Sequence, residues 1–370
     1  MGVGISMEIT RIVLTGGPCA GKSTGLAVIE RKLKDLGYKV VIMSEMATDV
    51  INSGLHPMDI GVDFQDILIE NQLARDKAYE RMLLKNKDKY DKVVILYDRG
   101  IMDGRAYCSK EEFAKLLGMH NIRETQIMTF YDGVFHLVTA ADGAPGAYTT
   151  ENNKARMETA EEAVLADRRT LNCWVGHPHL RIITNNGVNF EQKMTKLMGE
   201  IMSLLGEPIP LEIERKYLIE MPDIEKLSNI IKLTKHEIIQ TYLNSDEGVE
   251  RRVRQRGTSG DYSYYYTEKR IVDETKNVRE EVERKITQDE YIRLLMESDT
   301  TKHQIRKDRY CFVYNDRYFE LDIYPFWNDK AILEIEVANA DERVCIPEFI
   351  RIIKEVTDDS SYKNANLAKL

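Results

Sequence analysis

Gly16-x-x-x-x-Gly21-Lys22-Ser23, the stretch "GGPCAGKS" with Thr24 after it, has the spacing of a loop that grips a polyphosphate. Gly16, Gly17 and Gly21 let backbone N–H groups turn inward around phosphate oxygens. A helix beginning near Lys22 adds its N-terminal dipole. Lys22 would reach the β and γ phosphates, and the Ser23 hydroxyl would ligate Mg²⁺. Asp98 ends the apolar run "KVVILYD" and supplies the acid expected in the magnesium shell. Glu45 ends "KVVIMSE", where a group facing a phosphoryl acceptor would sit. An ordinary acid at a helix N-terminus is the alternative for Glu45.

A second set of charges follows a different rhythm. They fall in i, i+2 pairs: Glu212/Glu214, Arg252/Arg254 with Arg256, Glu281/Glu283, Lys307/Arg309, Glu320/Asp322 and Glu334/Glu336. Residues two apart in a strand share a face, and Ile213, Val253, Val282, Leu321 and Ile335 take the other. The plain reading is a half-buried sheet with its charged face in water. Such a face usually mixes signs, however, whereas these pairs are each of one sign. That suits an enclosed space in which acid pairs hold divalent cations and basic pairs hold phosphate oxygens.

The elements that must carry these residues change character along the chain. "RIVLTG", "KVVIMSE", "KVVILYD", "VFHLVTA" and "LRIITN" read as buried strands, with helical patterns over Ser23–Leu36, Asp66–Lys85 and Phe190–Leu205. Strand alternating with helix predicts an α/β doubly wound unit with a parallel sheet. "GEPIP" (Gly206–Pro210) then breaks the pattern as a linker. Beyond it, "LEIERKYLI", "IIQTYL", "VERRVRQR", "YSYYYTEKR", "REEVERKI", "RYCFVY", "YFELDIY" and "AILEIEVA" alternate with period two, predicting an antiparallel sheet closed into a barrel. The expected domains are 7–206 and 211–370.

Composition sets outer bounds. With 370 residues and 43% hydrophobic content the chain suits two domains. A net charge of −9 argues against general nucleic-acid binding, so anion sites must be local concentrations of Lys and Arg. Five cysteines without a CxxC fit a reducing cytoplasm rather than a disulfide or zinc framework. No apolar run has membrane-spanning length. Met1–Ser6 fits the loose myristoylation pattern, which leaves peripheral membrane attachment as an alternative to the plainer reading that Met7 begins the working protein.

Two resemblances attach to these motifs. In the first half, "YDRG" resembles the Asp-Arg pair of P-loop nucleoside and nucleotide kinases, and the AAA-type ATP-binding domain is similar in plan. This implies a nucleotide-contacting role for Arg99, and a lid after the Gly/Pro-rich stretch whose Arg156, Arg168 and Arg169 close on the transferred phosphate. Solvated helix arginines are the alternative. In the second half, "EIERKYLI" resembles the ExExK signature of the CYTH, or triphosphate tunnel metalloenzyme, superfamily. The likeness continues through "QTYL", "RRVRQR", "TEKR", "EEVERKI", "IRKDRY", "ELDIY", "LEIEV" and "SYKNANLA". It implies an eight-stranded closed tunnel with Glu212, Glu214, Glu334 and Glu336 as metal ligands. Lys216, Arg252, Arg254, Lys269, Lys307 and Arg309 would contact the triphosphate. Glu281, Glu283 and Asp322 would order the basic groups or hold a second metal. The two-domain order resembles the TRPL translocation defect protein family, whose members are similar to GTP-binding proteins that also bind phosphoinositides. Plant relatives joining a uridine-kinase-like domain to a CYTH domain act as phosphohydrolases.

Three functions remain open at this stage. The first is a tunnel that hydrolyses inorganic triphosphate or a nucleoside triphosphate with Mg²⁺ or Mn²⁺. The second is a P-loop phosphotransferase using ATP or GTP. The third is a GTP-binding, phosphoinositide-sensing module without turnover. The number of carboxylate pairs favours the first over the third. Thr184–Asn185 sits where kinase-like folds often contact the base, but it does not decide ATP against GTP.

Overall fold

The computed structural model describes residues 8–143, 159–207, 213–273, 278–337 and 343–369. The chain divides into two compact units, Met1–Leu205 and Gly206–Leu370.

The first unit runs β1 (Glu8–Thr15), α1 (Lys22–Asp35), β2 (Lys39–Met43), α2 (Met46–Asn52), α3 (Pro57–Ile60), α4 (Asp63–Lys85), β3 (Lys92–Asp98), α5 (Lys110–Met119), α6 (Glu124–Phe130), β4 (Gly133–Leu137), α7 (Ala160–Trp174), β5 (Leu180–Ile183) and α8 (Phe190–Leu204). Its sheet has the order β2-β3-β1-β4-β5, and every pairing is parallel, as the apolar runs predict. The chain winds from β1 outward to β2 across β3, then from β3 to β4 and β5 on the other side. That reversal opens a crevice beyond the carboxyl ends of the strands. Register aligns Leu14 of β1 with Asp98 of β3, and Thr15 with His136 of β4, so the chemistry-bearing residues meet at that edge.

Apolar packing fixes this edge. Ile12, Leu14, Val94, Leu96, Phe135 and Leu137 of the sheet pack with Leu26, Ile29 and Leu33 of α1 and Met194, Leu197 and Ile201 of α8. Each such side chain contributes roughly 1.5–3 kcal/mol on burial. Elsewhere in this unit Tyr131 meets Tyr97 and Trp174 edge-on, with ring centroids 5.1 and 5.5 Å apart. Capping boxes start α7 (Thr159 with Glu162) and α8 (Asn189 with Gln192).

The second unit runs β6 (Ile213–Glu220), α9 (Ile224–Ile230), β7 (Thr234–Leu243), β8 (Val249–Thr258), β9 (Asp261–Asp273), β10 (Val278–Ile286), α10 (Gln288–Leu295), β11 (Ile305–Tyr314), β12 (Arg317–Ile323), β13 (Lys330–Val337), β14 (Ile352–Glu355) and α11 (Asn364–Leu367). The eight alternating segments form an antiparallel sheet as expected, but the eight-stranded closed barrel needs correction. The sheet has nine strands in the order β10-β9-β8-β7-β11-β12-β13-β6-β14, and among the described residues β10 and β6 do not pair. A strand has two edges. Those of β6 are taken by β13 and by the short β14. All four β14 residues are exposed, so the segment lacks the alternation that marks a strand in sequence.

The two faces differ as the i, i+2 rhythm predicts. Tyr217, Ile219, Phe312, Phe319, Leu321, Leu333 and Ile335 form a core with Leu227 and Ile224 of α9 and with Ile346, Phe349 and Ile350. Val253 and Leu243 pack with Tyr291 and Leu294 of α10. The charged face has its own apolar end, where Leu218, Tyr242, Ile305, Tyr324 and Ile332 receive Val356, Leu367 and Ala368. Backbone bonds hold this C-terminal segment: Val356 N–H donates to Lys216 O at 2.8 Å, and His303 N–H to Ala368 O at 2.7 Å.

Candidate functional site

The phosphate loop follows β1 directly. Gly16 has φ 139°, and a Cβ there would lie 2.1 Å from the Leu137 carbonyl oxygen, so only glycine fits. Cys19 and Gly21 are left-handed, with φ 55° and 89°, which curls the backbone into an anion-binding nest. Lys22 Nζ donates to the carbonyls of Gly16 and Gly17 at 3.0 Å each. Burial and the Arg99 charge push the Lys22 ammonium down to about 8, against the pull of Asp98 and Glu45. Phosphate binding favours the charged form. Nucleotide affinity is therefore expected to hold below pH 8 and to fall above it as the empty loop loses its proton, with proton uptake on binding. Calorimetric titration at pH 7 and pH 9 in buffers of different ionisation enthalpy checks this.

Asp98 and Arg99 meet Lys22 at the end of β3. Burial pushes the Asp98 carboxyl up, and its Oδ1 is buried without a hydrogen-bond partner. Arg99 sits in the left-handed region at φ 71°, a cost of about 1–3 kcal/mol that functional sites tolerate. Its N–H donates to Leu14 O at 3.0 Å, its Nε donates to Glu45 Oε1 at 2.8 Å, and its Nη1 is buried without a hydrogen-bond partner. Burial opposes ionisation of Glu45, but the Arg99 charge outweighs it and holds the carboxyl below its usual range. Glu45, Asp98, Arg99 and Lys22 thus form one cluster. It carries an orphaned carboxylate oxygen suited to a hard cation and an orphaned guanidinium nitrogen suited to a phosphate. Ser23 and Thr24 are exposed at the start of α1. Arg168 and Arg169 are exposed on α7, and Arg168 pairs with Asp142 at 3.7 Å. Arg156 lies outside the described residues.

Several groups here escape the sequence reading. Asp167 of α7 accepts the Gly17 N–H at 2.5 Å and meets His136 Nε2 at 3.1 Å. Asp103 accepts the Thr15 hydroxyl and, at 2.7 Å, the Gly100 N–H. Lys193 donates to the carbonyls of Ala20 and Val138 and to Asn185 Oδ1 at 3.0, 2.7 and 2.8 Å. Only Lys193 carried a signal in the sequence, a charge on the apolar stripe of α8 beside Met194 and Leu197. Asn185 also changes meaning. Its Nδ2 donates to Val138, Thr139 and Asp142 carbonyls, so the side chain is committed to the backbone rather than presented to a base.

In the second unit, cross-strand register gathers the candidate residues on one face. Arg252 pairs with Thr267 and Tyr242, Arg254 with Tyr265 and Gln240, Lys307 with Ile238, Arg309 with Asp322, and Lys216 with Glu334. Arg252, Arg256, Lys307, Arg309, Asp322 and Glu334 are all buried. Arg309 donates to Glu320, Asp322 and Glu334, and Lys307 to Asp322. Burial works against the Arg309 charge, but the carboxylates of Asp322, Glu320 and Glu334 outweigh it and raise its pKa. Lys307 goes the other way, lowered by burial and by Arg309 despite Asp322. Arg254 is lowered by burial and by Arg252, Arg309 and Arg256, with Glu283 opposing at 3.7 Å. Thr267 steadies Glu283 at 2.9 Å. Lys269 lies on the same face, in register with Glu250 and Glu281.

The acids are shared with these cations. Lys216 bridges Glu214, at 3.0 Å, and Glu334. Burial and the Glu334 charge push Glu214 up to about 7, whereas Glu334 is held well below its usual range, its own burial overcome by Lys216, Lys307 and Arg309. Among the described residues no three His, Cys, Asp or Glu side chains are grouped to hold a metal ion. Asp322 is fully buried between Lys307 and Arg309, which makes it an orienting group for them. Glu336 lies in register with Glu214. Glu212 and the Glu281 side chain lie outside the described residues.

A family profile described as an AAA domain matches residues 11–193. No curated protein matches. Among solved structures, the inorganic triphosphatase NE1496 is 27% identical, with 44% of this chain and 97% of that one covered and a TM-score of 0.31. PH1012 from Pyrococcus horikoshii OT3 is 23% identical over 35% of this chain and 80% of its own, with a TM-score of 0.28. No described helix is long and apolar enough to cross a membrane.

Proposed function

We propose that the second unit binds a triphosphate on its inward charged face and hydrolyses it with a divalent cation, while the first unit binds ATP or GTP with Mg²⁺. One observation carries the triphosphate reading. Arg252, Arg254, Arg256, Lys307 and Arg309 crowd one face of the sheet, where burial and neighbouring cations lower Arg254 and Lys307 in spite of Glu283 and Asp322, so these two in particular gain from a further anion. The resemblance of its strand motifs to triphosphate tunnel metalloenzymes supports the same reading.

The carboxylates present offer hard oxygens to a divalent cation. Glu214 and Glu334 offer carboxylate oxygens close enough to perturb each other, with Glu336 in register beside Glu214 and Glu212 two residues earlier. Bound Mg²⁺ or Mn²⁺ would neutralise phosphate charge and lower the pKa of a water. Arg252, Arg254, Lys269, Lys307 and Arg309 bind the phosphate oxygens and stabilise the charge that develops on them. Asp322 and Glu283 hold Lys307, Arg309 and Arg254 in place for that contact. Phosphoinositide head groups present similar phosphate chemistry, and binding them without turnover would make this face a sensor.

The test is phosphate release from tripolyphosphate and from each nucleoside triphosphate with Mg²⁺ or Mn²⁺. Arg254→Ala is expected to raise KM about 10-fold or more, since a charge-assisted contact contributes about 1.5–3 kcal/mol. Release that ignores Arg254 and follows Lys22 would move the chemistry to the first unit. The paired Glu45 and Arg99 beside Lys22 and Asp98 favour a second reading there, phosphoryl transfer to a small acceptor. On that reading, ADP or GDP formation depends on added acceptor and falls in Glu45→Gln.

A further inference from the structure

We infer that Lys193, Thr139 and Asn185 form a positioning device that aims the backbone N–H groups of the phosphate loop, a claim that rests on the nucleotide-binding reading of the first unit. In a trans peptide the carbonyl and the next residue's N–H point in opposite directions. Whatever anchors a loop carbonyl on one side therefore directs the following N–H to the other. Three successive carbonyls of the loop are anchored in this way. The Thr139 hydroxyl donates to Pro18 O, the Ala140 N–H to Cys19 O at 3.3 Å, and Lys193 Nζ to Ala20 O at 3.0 Å. The N–H groups so directed belong to Cys19, Ala20 and Gly21, consecutive residues of the nest that precedes Lys22.

The anchors are themselves tied together. Asn185 Nδ2 donates to the carbonyls of Val138, Thr139 and Asp142, and its Oδ1 accepts from Lys193. The other Lys193 acceptors are the Val138 and Ala20 carbonyls, so three neutral oxygens engage the ammonium's three protons. Thr139 is fully buried, and Lys193 and Asn185 nearly so, which removes competing water. Lys193 thereby brings an ammonium to the phosphate loop, pushed down to about 8 by burial against the pull of Asp167, and while protonated it adds to the field that attracts an anion. Cys19 gains most from the clamp, because its left-handed φ of 55° is costly for a residue with a Cβ and persists only where neighbours enforce it.

The test uses the full chain and Mg-ATP and Mg-GTP as probes, with Lys22→Ala measured alongside to set the background from the second unit. Thr139→Val, near-isosteric but without the hydroxyl, is expected to weaken the Lys22-dependent binding about 5- to 10-fold, the equivalent of one hydrogen bond, and Thr139→Ser to restore it. Lys193→Met is expected to weaken it more than 10-fold, because a charged anchor is lost. The losses must be confined to phosphate-bearing ligands. The affinity of the matching nucleoside, measured by the same calorimetry, stays within about 2-fold of wild type, which a general loss of packing would not allow. Wild-type triphosphate affinity in Thr139→Val overturns the inference, and so does an equal loss for nucleoside and triphosphate. If wild type and Lys22→Ala bind the probes identically, the nucleotide reading itself fails, an outcome distinct from failure of the positioning claim.

Discussion

Glu214→Ala is expected to reduce metal-dependent triphosphate hydrolysis by about 100-fold or more, with Lys22→Ala close to wild type in the same assay. Glu214 shares its cation with a stronger competitor. Its one ion partner among the described residues is Lys216, which also serves Glu334. Burial and Glu334 hold it near pH 7 rather than in the usual carboxylate range, so a cation that replaces its proton gains a ligand at little cost to the ion-pair network. Glu334 makes a poorer probe. It neutralises both Lys216 and Arg309 inside the sheet, and removing one partner of a buried pair costs about 3–5 kcal/mol of stability. Glu214→Ala leaves Lys216 paired with Glu334 and is expected to fold. Phosphate release in wild type and Glu214→Ala, with thermal midpoints measured in parallel, decides the matter. Full activity in a folded Glu214→Ala protein would remove this carboxyl from the metal site.

The second large effect belongs to the phosphate loop. Lys22→Ala is expected to weaken Mg-ATP or Mg-GTP binding by the first unit about 10- to 150-fold, matching the roughly 1.5–3 kcal/mol of a charge-assisted contact. Stability is expected to change little. The Lys22 ammonium is held by two carbonyls and is already pushed down to about 8 by burial and Arg99. Its removal therefore relieves a desolvated charge, and the N–H nest keeps its carbonyl anchors on Thr139, Ala140 and Lys193. Unchanged affinity in Lys22→Ala would show that the loop does not hold the nucleotide.

Much of this was legible in the chain because it is local. Apolar runs of five to eight residues, ended by turn-formers, specify buried parallel strands, and the observed β3 spans the same Lys92–Asp98 as the run that announces it. Gly16 and Gly21 sit at φ 139° and 89°, which disfavour any residue with a Cβ, so the motif announces the loop's local backbone shape. The i, i+2 charge pairs fix a shared face through the pleat, and the buried Arg252, Lys307, Arg309 and Glu334 lie on one.

What the sequence could not determine depends on partners far apart along the chain. Period two reports which face a strand buries, not which edges are free, so it does not decide strand closure. The edge of β6 goes to Ile352–Glu355, a segment without alternation. The place of Asn185 after β5 suggests a base contact, but its hydrogen bonds are settled by the 138–142 turn, more than forty residues earlier. Asp167 and Lys193 reach the phosphate loop across 150 and 173 residues. The sequence by itself determined two units, their sheet types, the loop and the charged face, because periodicity and backbone sterics act between near neighbours. Only the tertiary structure decided which carboxylate each cation neutralises and which side chains anchor the loop, because a buried polar group takes whatever partner the packing brings within about 3 Å.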